Sequence, residues 1–194
     1  MKNIFYTTVL TCAVCFGTAS AEDLASSGLV SSDNITVSQT DMKHLSDCLS
    51  SEMQNVSSRS VRACSKAIKA SIPDFEIRSD LYARRGLLQL SAGRFEKASR
   101  DFDSAARLNG KHEFASLGQG FSAMMMKDYD VAEAYFMDCK DHEGTASLAS
   151  YGLGMTYELM GDKTRALEAY EKAAKMRPGW SAPQDELKRL SGLL

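Results

Sequence analysis

The chain has 194 residues, a formal net charge of −2 and 44% hydrophobic side chains. This is an ordinary globular composition and excludes a disordered or collagen-like chain. The sequence pI near 5.9 leaves no basic surplus for generic phosphate-backbone binding, so no nucleic-acid partner is expected.

In chain order, residues 1–21 read as a secretory signal peptide. Lys2 supplies a short positive start, Ile4 to Phe16 is mostly apolar, and Ala19-Ser20-Ala21 fits a small-x-small cleavage site. The apolar stretch is too short for a comfortable bilayer span, so no stable membrane insertion is expected after cleavage. The alternative is an uncleaved N-terminal anchor. Cleavage removes Cys12 and Cys15 and leaves Cys48, Cys64 and Cys139. Disulfides persist in exported compartments, and an odd number of cysteines leaves at least one unpaired within a monomer. Residues 22–40 read as a Ser/Thr-rich linker, with Leu24, Leu29, Val30, Ile35 and Val37 as apolar exceptions.

Residues 41–78 read as a helical hairpin, with amphipathic helices over Asp41–Met53 and Ser58–Ile72. Leu45, Cys48 and Leu49 share one face of the first; Val61, Cys64, Ile68 and Ile72 share one face of the second. With a turn near Asn55, Cys48 and Cys64 lie at similar distances from it. An antiparallel hairpin then predicts a Cys48–Cys64 disulfide, worth on the order of 3 kcal/mol in the chain-entropy model. The alternative is two buried thiols.

From residue 79 the chain repeats itself every 34 residues. Gly86, Gly120 and Gly154 form one column; Ala98, Ala132 and Ala166 a second; Phe102, Phe136 and Tyr170 a third. Ala105, Cys139 and Ala173 form a fourth, and Gly110, Gly144 and Pro178 a fifth. Self-similarity at a fixed period is the mark of a stacked repeat architecture. The pattern resembles the tetratricopeptide repeat, a helix-turn-helix unit of this length. The unit at 147–180 matches best, through Leu153-Gly154, Tyr157, Gly161-Asp162, Ala166, Tyr170, Ala173 and Pro178. The units at 79–112 and 113–146 depart from the pattern: Gln89 and Ala123 stand where Tyr is preferred, and Gln119 replaces Leu before Gly120. Ser181, Pro183, Leu187, Leu190 and Leu194 predict a capping helix over 181–194, with Ser181 as its N-cap and Trp180 packing at its base.

The resemblance implies an all-α fold: an α-solenoid of helical hairpins in a right-handed superhelix, with the N-terminal hairpin and C-terminal helix as caps. It further implies that the first helix of each repeat lines a concave face, through the second, fifth, ninth and twelfth positions of the unit. Those positions include Leu87 and Leu90; Phe114, Leu117, Phe121 and Met124; and Leu148, Tyr151, Met155 and Glu158. Two readings of these ten follow. They form an apolar groove that docks a segment of a protein partner, or they are core, covered by the linker or by tighter packing. The Lys and Asn residues with which one subgroup of the family clamps a peptide carboxylate are absent at these positions.

Nothing in the sequence points to catalysis, a cofactor or a metal. Cys139 and His142 lie three apart beside Asp138 and Asp141, but Cys139 occupies a column otherwise filled by alanine and reads as a small packing residue. Arg84 and Arg85 read as a solvated charge cluster. The expected function is therefore a non-catalytic scaffold or adaptor with a protein partner of unknown identity. The alternative is a binding protein for a glycan or lipid of the envelope. A cysteine-paired hairpin followed by tetratricopeptide units is similar to exported proteobacterial repeat proteins, which implies a bacterial periplasm.

Overall fold

The structure is a computed structural model that describes residues 38–50, 57–70, 74–110 and 112–192. The signal peptide and almost all of the linker lie outside the described residues. Nine α-helices are found among the described residues: α1 (Gln39–Leu49), α2 (Ser58–Lys69), α3 (Phe75–Ser91), α4 (Phe95–Leu108), α5 (Glu113–Met125), α6 (Tyr129–Cys139), α7 (Ala146–Met160), α8 (Lys163–Met176) and α9 (Ser181–Ser191). The chain divides into two compact units, the first ending at Gly110 and the second starting at Lys111.

In the first unit, side-chain caps set three of the four helix starts, those of α1, α2 and α3. Ser38 Oγ accepts from the Asp41 N–H (3.1 Å), and Ser57 Oγ accepts from the Ser60 N–H (3.2 Å). Asp74 Oδ1 accepts from the N–H groups of Glu76 (2.8 Å) and Ile77 (3.0 Å). That cap opens α3 at Phe75, upstream of the repeat start at residue 79. α2 stops at Lys69, short of Ile72, because Ala70 turns to an extended backbone (ψ 151°). Helices α1 and α2 are joined by the Cys48–Cys64 disulfide, with the two Cα atoms 4.6 Å apart. The disulfide reading of the hairpin therefore holds, and the two-thiol alternative does not.

Arg84 and Arg85 are not a solvated cluster. Arg84 Nε donates to the Cys48 carbonyl at 3.0 Å, fastening α3 to the end of α1. Arg85 makes a two-point contact with Asp101, through Nε to Oδ2 at 2.8 Å and Nη2 to Oδ1 at 2.6 Å. Its Nη1 reaches Ser65 Oγ on α2 at 3.1 Å, and Gln89 Nε2 donates to Asp101 Oδ2 at 2.9 Å. Asp101 is buried; these donors satisfy a carboxylate that would otherwise be costly to hold inside. One network thus ties α2, α3 and α4 together.

In the second unit, α5 pairs with α6, α7 with α8, and α9 packs on α8. The helices approach closely because rings fill the space that glycines leave. In the first unit, a Cβ built on Gly86 would stand 3.0 Å from the Phe102 ring. In the second, a Cβ would meet the Phe136 ring at 2.7 Å from Gly120 and at 2.6 Å from Gly152; a Cβ on Gly154 would meet Tyr170 at 2.6 Å. Phe136 therefore keys α6 to both α5 and α7. All three rings are fully buried, so none can swing away to admit a methyl group.

The turn inside each repeat is built the same way three times. A residue one or two places after the first helix is left-handed: Gly93 (φ 71°), Lys127 (φ 69°) and Gly161 (φ 83°). The next N–H closes the same bond each time, Arg94 to the Gln89 carbonyl, Asp128 to Ala123 and Asp162 to Tyr157 (2.9, 2.9 and 2.8 Å). The capping helix starts at Ser181 with Trp180 at the N-cap, so Ser181 is the first helical residue and does not cap.

Lys127 holds a conformation that costs a side-chain-bearing residue roughly 1–2 kcal/mol. Lys127→Gly should raise unfolding stability by about 1 kcal/mol, read as a higher denaturant midpoint. A lower midpoint would contradict the shared turn geometry.

Candidate docking surface

Most of the ten positions assigned to a concave face are buried. On α3, Leu87 and Leu90 are buried. On α5, Leu117, Phe121 and Met124 are buried and Phe114 is half-buried; on α7, Leu148, Tyr151 and Met155 are buried and Glu158 is half-buried. Eight of the ten are thus buried side chains.

Their contacts in the second unit show how they are used. The Phe121 ring meets Phe136 edge-on, with centroids 5.0 Å apart. Tyr151 lies between Tyr170 (5.4 Å) and Trp180 (4.9 Å). Trp180 is therefore packed against an inward position of α7, with the Arg177 guanidinium over its ring. Glu158 accepts from Arg189 of α9 at 2.6 Å on both oxygens and from Tyr170 Oη at 3.2 Å. Burial first, and the nearby Glu158 carboxylate second, push the Tyr170 hydroxyl well above its ordinary range. It therefore stays protonated as the donor to Glu158. On the other side of α7, Tyr157 Oη donates to Glu133 Oε1 at 2.8 Å, and Arg165 stacks over the Tyr157 ring at 4.3 Å.

The chemically reactive candidates are structural. The Cys139 thiol is buried in α6 within 3.9 Å of the Glu113 carbonyl, and its own carbonyl accepts from Thr145 Oγ1 at 3.2 Å. Burial, with Asp138 and Glu113 adding to it, pushes the thiol up to about 12. It is held protonated, the opposite of what a nucleophile or metal ligand needs. The His142 ring lies on the surface, with Nδ1 3.8 Å from Glu113 Oε1. Among the described residues no group of three or more His, Cys, Asp or Glu is placed to hold a metal ion.

Sequence reasoning missed the two polar networks centred on Asp101 and Glu158, and the left-handed Lys127. Signals existed for part of this. Gln89 departs from the preferred tyrosine, and a polar side chain at an inward-facing helix position calls for a buried partner. Lys127 falls in the column of Gly93 and Gly161.

Comparison with known proteins agrees with this geometry. The tetratricopeptide repeat family model matches residues 147–180, the unit with the fullest sequence pattern. Anaphase-promoting complex subunit 3 of Schizosaccharomyces pombe is 27% identical over 132 residues, covering 68% of this chain but 19% of that protein. The chain thus spans about a fifth of that relative's length. A crystal structure of MamA protein superimposes with a TM-score of 0.61 at 20% identity, covering 80% of this chain and 84% of the other. MamA 41-end from Desulfovibrio magneticus RS-1 gives 0.63 at 17% identity, covering 81% and 87%. At these identities the structural likenesses concern the fold. The class is an all-α protein of stacked helical hairpins. Residues 147–180 form a tetratricopeptide repeat. No helix among the described residues is long and apolar enough to cross a membrane.

If the inward positions are core, shortening one should unfold the protein rather than spare it. Leu117→Ala is expected to cost about 2–5 kcal/mol, measured by chemical denaturation. A change below about 0.5 kcal/mol, typical of a surface site, would return Leu117 to a docking face.

Proposed function

We propose that this chain is a non-catalytic adaptor that brings protein partners together in an exported compartment, the bacterial cell envelope. The observation that carries the reading is the set of hairpins in tetratricopeptide register, in which Cys139, the free cysteine among the described residues, is spent on packing. Anaphase-promoting complex subunit 3 is by name one subunit of a larger complex, and a part in an assembly is the role carried over here. Export rests on the signal-peptide pattern ending at Ala21. The Cys48–Cys64 bond fits a chain that matures outside a reducing cytoplasm.

The burial of the inward positions shapes the proposal. A partner segment reaching Leu117 or Tyr151 would have to displace the protein's own packing. Docking is therefore assigned to the exposed faces of the hairpins, with the apolar inner face covered within the chain.

Crosslinking in its own cells, followed by purification and mass spectrometry, tests this. The expected result is a mature N-terminus at Glu22 and a small, reproducible set of envelope proteins crosslinked to it. Retention on purified peptidoglycan or lipid vesicles, with no protein crosslinked, would replace the proposal with a glycan- or lipid-binding role.

A further inference from the structure

The first unit carries a cationic cleft that the repeat pattern does not account for. α2 contains Arg59, Arg62, Lys66 and Lys69 and no acidic residue. Their spacing of three, four and three places them along one stripe of the helix. Cys64, Ala67 and Ile68 are buried in the core instead. Across from the stripe, α1 presents Lys43, His44 and Asp47. Between the two helices lies a cleft of about 780 Å³, lined by these three side chains together with Arg59, Arg62, Ala63 and Lys66.

This concentration of charge is at odds with the chain as a whole, whose net charge is −2. Lys43, Arg59, Arg62 and Lys66 face one carboxylate on the cleft wall, that of Asp47. Like charges at helical spacing repel, so their retention on one face makes the cleft receptive to anions. The walls are also fixed before any ligand arrives. The Cys48–Cys64 disulfide joins α1 to α2, and Arg84 holds the end of α1 from α3. A preorganised cleft loses less entropy on binding.

We propose that this cleft docks an acidic peptide segment of a protein partner, with the carboxylates of Asp or Glu side chains meeting Arg59, Arg62, Lys66 and Lys43. The inference rests on the adaptor reading and names the chemistry of the partner. Shape favours a peptide. At 1.5 Å per residue, the cleft wall from Arg59 to Lys66 spans about 10 Å, the length of about three residues of extended chain. The two arginines offer planar forks suited to carboxylates. No aromatic ring other than His44 lines the cleft, so it lacks the stacking platform of a single-stranded nucleic-acid site. Ala63 is its one apolar lining residue, too little to insert into a bilayer.

The test uses the mature chain from Glu22 and a short fluorescent peptide of alternating glutamate and glycine, with anisotropy as the readout. Binding is expected, weakening as salt rises, and a lysine–glycine peptide should not bind. The triple variant Arg59→Gln, Arg62→Gln and Lys66→Gln, checked for an unchanged circular dichroism spectrum, should lose at least about tenfold in affinity. A control variant, Lys163→Gln with Lys172→Gln in the second unit, should bind as the parent does. Equal binding by parent and triple variant would overturn the proposal. So would tighter binding of oligothymidylate or of anionic phosphatidylglycerol vesicles. In the cellular crosslinking experiment, partners recovered equally with parent and triple variant would overturn the cleft and leave the adaptor reading standing. Partners recovered with neither would contradict the adaptor reading itself.

Discussion

A buried aromatic ring seated on a glycine sets the distance between helices, and the rest of the structure follows from that distance. Phe102 sits on Gly86, Phe136 on Gly120 and Gly152, and Tyr170 on Gly154. A helix backbone can approach this closely only where no Cβ intervenes, and the ring then supplies the apolar area that a missing side chain gives up. Once the helices are that close, their other facing residues must be small. Ala98, Ala105, Ala132, Cys139, Ala166 and Ala173 are all essentially inaccessible to solvent. The same closeness leaves Cys139 as a packing residue with a protonated thiol.

Much of this was legible in the sequence. The 34-residue columns are the ring, the glycine and the small residues themselves, so the period reports the packing directly. The Cys48–Cys64 pair was legible from its symmetric placement about the hairpin turn. What was not legible is what happens where the pattern lapses. Gln89 looks like a weak position, yet it donates to a buried carboxylate that Arg85 also grips. Arg85 looks like surface charge because sequence spacing alone does not reveal Asp101 on the next helix. Glu158 sits at an inward position, and its neutralisation by Arg189 depends on where the capping helix lands.

The inward positions show the same limit more sharply. Family resemblance places ten side chains on one face of the first helices, and that placement says nothing of what lies against them. Trp180 and Tyr170 against Tyr151, and Phe136 against Phe121, turn several of these positions into core. At Tyr151 and Phe121 the apolar surface is consumed by the protein's own packing. Recognition then shifts to side chains that remain outside, where the cations of α2 form the densest single-sign cluster on one helix.

The most direct test of the ring-on-glycine constraint is a double-mutant cycle between Gly152 and Phe136, read by denaturant unfolding. Gly152→Ala alone should destabilise by about 1–3 kcal/mol, because the new methyl overlaps a ring that cannot move. In the Phe136→Leu background the same change should cost much less, a coupling of about 1 kcal/mol or more. Strictly additive losses would show that the ring does not set the helix spacing and would contradict the constraint on which the structure depends.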